Sequence, residues 1–159
     1  MSDSLNYPQV SIYTDGACLG NPGPGGWAAI LIYNQHRKEF SGGFAQTTNN
    51  RMELMAIIQG LKSLKKTCNV HIYTDSRYIH DALNKGWLNG WQKNGWRTAD
   101  KKPVKNQDLW REILSLINIH KVKFNWIPGH AGQKENERCD QLAKKAAKGQ
   151  DLPLDSGYK

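Results

Sequence analysis

Four carboxylates stand in four separate contexts along this chain, and together they could do metal chemistry. They are Asp15 in Thr14-Asp15-Gly16, Glu53 in Thr48-Asn49-Asn50-Arg51-Met52-Glu53, Asp75 in Thr74-Asp75-Ser76, and Asp140, downstream of Gly129-His130-Ala131-Gly132. Two unit negative charges about 5 Å apart repel by roughly 3 kcal/mol at an effective dielectric of about 20. A fold that gathers four such groups must protonate them, splay them apart or neutralise them with a cation. Their oxygens are hard ligands, so the matching ions are Mg²⁺ or Mn²⁺. His130 sits in a glycine-flanked loop, where a mobile imidazole could move protons beside a metal site.

Each motif has a plainer reading when taken alone. Asp15-Gly16 is a common turn dipeptide. Asn50 followed by Glu53 resembles a helix capping box. Asp75-Ser76 could be a strand-to-helix cap, and Asp140 a solvated residue beside Arg138 and Lys144. The charge balance bears on the choice. The 159 residues carry 22 Lys and Arg against 14 Asp and Glu, a net charge of +8, with a pI of about 9.4. A basic surface favours a polyanionic partner. A carboxylate cluster within a basic chain points to a metal-dependent nuclease.

Other classes are disfavoured. The longest apolar stretch, residues 27–33, is far short of a membrane span. Residues 1–6 have neither the basic nor the apolar segment of a signal peptide. The expectation is a cytoplasmic protein with no membrane partner. Cys18, Cys68 and Cys139 are odd in number and widely spaced, which argues against a disulfide framework, and the five histidines lack zinc-motif spacing.

The elements that must position these residues follow from periodicity. Residues 7–15, 27–34 and 38–44 read as strands on short connections, hence an antiparallel meander. Residues 21–26, Asn-Pro-Gly-Pro-Gly-Gly, read as a loop. Residues 51–66 read as a helix with Leu54, Ile57, Ile58, Leu61 and Leu64 as its apolar stripe and Glu53 at the stripe's edge. Strands at 70–75 and 122–127 each follow a helical segment (76–84 and 107–119 are the clearest later helices), which favours parallel addition to the sheet. Residues 135–148 form a last helix with Asp140 bordering its buried side. The expectation is an α/β fold, a mixed five-stranded sheet flanked by helices, in one domain spanning 1–159 with its core at about 7–149. Residues 150–159 lack periodicity and read as an extended or mobile tail.

All of these segments, in order, match one pattern. The chain resembles ribonuclease H, specifically the compact bacterial type 1 form. Residues 14–26 look like that family's first strand and glycine loop, Thr48 to Leu54 like its second motif, Thr74-Asp75-Ser76 like its third, and Gly129-His130-Ala131-Gly132 with Glu135 to Asp140 like its last. The likeness covers about residues 10–149. It implies a monomeric endoribonuclease that hydrolyses the RNA strand of RNA–DNA hybrids, leaving 5′-phosphate and 3′-hydroxyl ends. It implies that Asp15, Glu53, Asp75 and Asp140 hold two Mg²⁺ ions during catalysis, with Mn²⁺ a possible substitute, and that His130 serves proton transfer and product release. Asn21, Asn50 and Glu53 match readers of the 2′-hydroxyl. Thr48 and Asn49 match a pocket for a phosphate of the DNA strand, and Tyr78 falls among the substrate-binding positions. Gln46, Arg77 and Pro128 depart from residues frequent in the family.

Residues 85–105 match the basic handle of the bacterial enzymes. They carry six basic residues, among them Lys93, Arg97, Lys101 and Lys102, against the single acid Asp100, with Trp87, Trp91 and Trp96 interleaved. The handle reading has its cations neutralise phosphates while its aromatics pack on DNA sugars. The bland alternative is a solvated basic helix whose tryptophans are core, most plausible for Trp96. Two other functions compete with hybrid cleavage. One is a silent hybrid-binding protein, against which intact carboxylates speak. The other is a DNA nuclease or integrase of the same fold, against which the 2′-hydroxyl readers and the handle speak.

Overall fold

The computed structural model describes residues 7–128 and 132–158. Three strands open the chain: β1 (Gln9–Cys18), β2 (Gly23–Tyr33) and β3 (His36–Thr47). They pair as an antiparallel meander. The helix α1 (Asn49–Lys62) crosses to β4 (Asn69–Thr74), which lies parallel to β1. Two short helices, α2 (Arg77–Asn84) and α3 (Trp87–Lys93), and the longer α4 (Gln107–Ile119) lead to β5 (Lys121–Trp126), parallel to β4. Helix α5 (Lys134–Ala147) comes last. The sheet order is β3-β2-β1-β4-β5, so β3 and β5 are its edges. The mixed five-stranded α/β fold expected from the sequence is present.

Strand alternation divides the core into two layers. Val10 and Ile12 of β1, with Val70 and Ile72 of β4, meet the α1 stripe of Leu54, Ile57, Ile58 and Leu61. Each of those four α1 side chains is fully buried, a contribution of about 1.5–3 kcal/mol apiece. On the opposite face, Ala17, Ala28 and Ile30 pack against Cys139 and Ala143 of α5.

Three expectations need correction. Residues 21–26 are not all loop: β2 begins at Gly23, and Gly25 and Gly26 pair with Cys18 and Ala17 of β1. Glycine is needed there because α5 lies directly on the strand. A Cβ on Gly26 would collide with the Ala143 carbonyl and the Ala147 nitrogen. The first helix stops at Lys62 rather than residue 66, where the Ser63 hydroxyl donates to the Gly60 carbonyl at 2.6 Å, diverting that acceptor locally. The segment after α5 is anchored rather than loose. Pro153 O accepts from Ala45 N at 2.8 Å, and Asp155 is buried. Among the described residues no helix is long and apolar enough to cross a membrane.

Candidate active site

The register of β1 and β4 creates the site. Their last paired residues are Tyr13 and Tyr73, so Asp15 and Asp75 both fall two residues further on, side by side. Asp15 is an interior residue of β1, opposite Ala28 of β2, not a turn residue. Asp75 directly follows β4, and it is Ser76, not Asp75, that caps α2 by accepting from Ile79 N. Glu53 arrives from α1. The α1 N-cap is Thr48, whose hydroxyl accepts from Arg51 N at 3.3 Å, so the capping-box role for Asn50 and Glu53 is not adopted. The α1 backbone lies against Gly16, where a Cβ would collide with Glu53 N and Met52 C. That close approach sets Glu53 beside Asp15.

Ligand oxygens of Asp15, Glu53 and Asp75 lie within 4.8 Å of one another. Asp15 and Glu53 are each only 4% exposed. Burial, then the charge of Asp75, pushes the Asp15 carboxyl up to about 8. Burial, then Asp15 and Asp75, raises Glu53 well above the ordinary carboxylate range. Gly16 N donates to Asp15 Oδ1 at 2.9 Å, while Glu53 Oε2 is buried with no hydrogen-bond partner. An unsatisfied buried carboxylate oxygen costs several times what a made bond contributes, unless a proton or a cation meets it. Asp140 lies apart from the trio, half-exposed on α5 and paired with Lys144 Nζ at 2.9 Å. Its charge nonetheless adds to the rise at Asp15. His130 lies outside the described residues.

The residues expected to meet substrate differ in exposure and anchoring. Asn21 Oδ1 accepts from Asn49 N at 3.0 Å, tying the turn between β1 and β2 to the start of α1. Asn50 is exposed, and Thr48 and Asn49 are half-buried. Tyr78 is half-buried, and its hydroxyl accepts from Trp110 Nε1 at 2.9 Å and from Asn106 Nδ2 at 3.3 Å. In the stretch after α2, Lys93, Arg97, Lys101 and Lys102 are exposed. Arg97 donates to the Lys101 carbonyl. Trp87 is 38% exposed, but Trp91 is half-buried against Trp96 and Trp110, and Trp96 is core. The core reading thus holds for Trp96 and in part for Trp91.

Sequence reasoning missed Arg51. It is 2% exposed and donates in pairs to Asp108 and to Asp155, with closest approaches of 2.7 Å to each. Burial works against its charge, but the two carboxylates more than offset that and raise its pKa. A signal existed: Arg51 stands three residues before Leu54 on the apolar stripe, where a buried guanidinium requires acids. Which acids those are, 57 and 104 residues away, is not written locally.

The RNase H family pattern matches residues 7–148. A ribonuclease H of Nitratidesulfovibrio vulgaris (strain DSM 19637 / Miyazaki F) is 57% identical over 155 residues, covering 98% of this chain and 99% of that one. One from Desulforamulus reducens is 56% identical, covering 97% of each. The crystal structure of LC9-RNase H1, a type 1 RNase H, superposes with a TM-score of 0.81 at 34% identity over 96% of this chain and 76% of that one. LC11-RNase H1, solved in complex with RNA/DNA hybrid, shares the fold with a TM-score of 0.66 at 24% identity, over 87% of this chain and 96% of that one. With likeness of this depth running nearly end to end, the chain belongs to the ribonuclease H family, hydrolases that act on nucleic acid.

Proposed function

We propose that this protein is an endoribonuclease that hydrolyses the RNA strand of RNA–DNA hybrids with two divalent ions, giving 5′-phosphate and 3′-hydroxyl ends. One observation carries the reading: three carboxylates from three separate elements converge within 4.8 Å, with one buried oxygen left unpartnered. A donor set made only of hard oxygens, which without a cation must hold protons far above the ordinary carboxylate range, fits Mg²⁺, with Mn²⁺ a substitute. Asp15, Glu53 and Asp75 would hold the ions, with Asp140 completing the set from α5. The bound ions supply activation of the attacking water and stabilisation of the departing 3′ oxygen.

The remaining steps belong to the chain's own residues. Asn21, Asn50 and Glu53 read the 2′-hydroxyl, the group that distinguishes RNA from DNA. Thr48 and Asn49 grip a phosphate of the DNA strand. The exposed cations of residues 85–105 neutralise further phosphates, with Trp87 presented beside Lys85. Half-buried Tyr78 joins this surface, its hydroxyl held by Trp110 and Asn106. His130 carries protons to the leaving group. Support for the hybrid as partner comes from LC11-RNase H1, a relative in fold that was solved bound to one. The protein acts as a single-domain monomer in the cytoplasm.

The test offers one end-labelled RNA strand in three forms: single-stranded, in an RNA–RNA duplex and in an RNA–DNA hybrid, each with Mg²⁺ and with EDTA. Mg²⁺-dependent cutting confined to the hybrid, with product ends that accept ligation chemistry for 5′-phosphate and 3′-hydroxyl, is expected. Tight hybrid binding without cleavage would replace the enzyme with a silent binder.

A further inference from the structure

We infer that Asp155, in the segment after α5, is a positioning residue for substrate binding, clamping the Thr48–Asn50 segment from behind through Thr47 and Arg51. The inference rests on the hybrid-cleavage reading above, which gives that segment its role.

Asp155 is buried and each of its oxygens is used. Oδ2 accepts from Thr47 Oγ1 at 2.7 Å and from Arg51 Nε at 2.7 Å, and Oδ1 accepts from Arg51 Nη2 at 3.1 Å. Thr47 and Arg51 bracket the three residues Thr48, Asn49 and Asn50. One carboxylate therefore fixes both ends of the segment that would touch the hybrid, while Asn21 holds its middle at Asn49 N. The other side of Arg51 reaches Asp108 and, at 3.3 Å, Asn106. These two residues join the basic stretch 85–105 to α4. Asn106 in turn donates to Tyr78. The Arg51 guanidinium is thus the junction between the phosphate-gripping segment, the root of the handle and the segment after α5.

A fold that needed only to be stable gains little from this arrangement. A buried ion pair roughly balances its own desolvation, and its better-attested use is to fix geometry. Besides the 2′-hydroxyl reader Asn50, the geometry fixed here is that of Thr48 and Asn49, which bind the non-reacting strand. Such groups hold ground state and transition state alike, so loosening them raises KM and spares kcat. Glu53 has an independent anchor, the contact of the α1 backbone with Gly16, which is why the chemical step should be spared.

The experiment measures KM and kcat on a fixed-length hybrid at 25 °C in the full chain, alongside thermal melts. The variants are Asp155→Asn, Thr47→Val, Thr47→Ser and, as a destabilised control away from the site, Ile113→Val. Asp155→Asn and Thr47→Val are expected to raise KM roughly tenfold, within what small misplacements reach, with kcat within about twofold of wild type. Thr47→Ser keeps the hydroxyl and should return KM to wild type, and Ile113→Val should lower the melting temperature without moving KM. A merely structural role predicts that KM stays put in every variant that is folded at 25 °C, and that result overturns the inference. Should Asp155→Asn fail to melt cooperatively, the Thr47 pair decides alone. Wild-type protein that does not cleave the hybrid removes the functional reading and this inference together, whereas normal wild-type cleavage with unmoved KM values removes only the latter.

Discussion

Asp15 is the residue on which the electrostatics of the site turns. Its carboxyl is pushed up to about 8, first by burial and then by Asp75. An acid whose folded pKa lies above its unfolded value holds its proton more tightly in the native state. Stability from that group is fully present below about pH 4 and is lost as pH rises through about 8. Metal-free protein should therefore weaken between those limits, and Asp15→Asn should stabilise it at pH 8 by on the order of 2 kcal/mol. Denaturant melts at pH 5 and pH 8 in EDTA would read this directly; equal gains at both pH values would refute it. The same variant should lose Mg²⁺-dependent hybrid cleavage. It should also lose the stabilisation that Mg²⁺ gives the wild type, about 2.7 kcal/mol at a hundred times the Kd. At this scale much was legible. The carboxylates sit in strings whose local chemistry is recognisable, but Arg51 with Asp108 and Asp155 is not, because a buried ion pair is chosen by the fold and not by neighbours in sequence.

Elements bring those residues within reach through close approaches that allow no side chain. Gly16 of β1 lies under the first turns of α1, and any Cβ there meets α1 backbone, which cannot swing aside. Gly16→Ala should displace α1 and separate Glu53 from Asp15. The expected cost is about 1–3 kcal/mol of stability from overpacking and a drop in kcat of roughly a hundredfold from misplacement. Wild-type turnover in that variant would show that the approach of helix to strand does not set the site. Gly26 does the same for α5 on the other face. The strands, every helix but the short α3 (Trp87–Lys93), and the strands' parallel or antiparallel sense could be read from periodicity and connection length. The glycine-rich start of β2 could not, because composition alone marks it as a turn and only the packing of α5 explains its extension. The segment after α5 was equally opaque, since its two anchors, Pro153 O and Asp155, leave no periodic trace.

Across the whole molecule, charge is segregated. The carboxylate cluster is recessed between β1, β4 and α1, while the cations of residues 85–105 stand exposed. Replacing Lys93, Arg97, Lys101 and Lys102 with Gln should weaken hybrid binding and make the slope of log K against log salt shallower by roughly 0.9 for each phosphate no longer neutralised. A slope identical to wild type would mean that these cations do not face the substrate. At the sheet's margins the arrangement has another use. Edge strand β3 begins with His36, Arg37, Lys38 and Glu39, where Arg37 and Glu39 are joined to Glu135 and Arg138 of α5 by ion pairs, and edge strand β5 carries exposed Lys121 and Lys123. Charged rims deny a second molecule a flat template for backbone pairing. Lys121→Val combined with Lys123→Val should make the protein turbid on concentration while its activity in dilute solution persists; clear solutions would show that the rim is guarded otherwise. The two edge strands thus act as colloidal insulation, letting many copies crowd together without zipping into one continuous sheet.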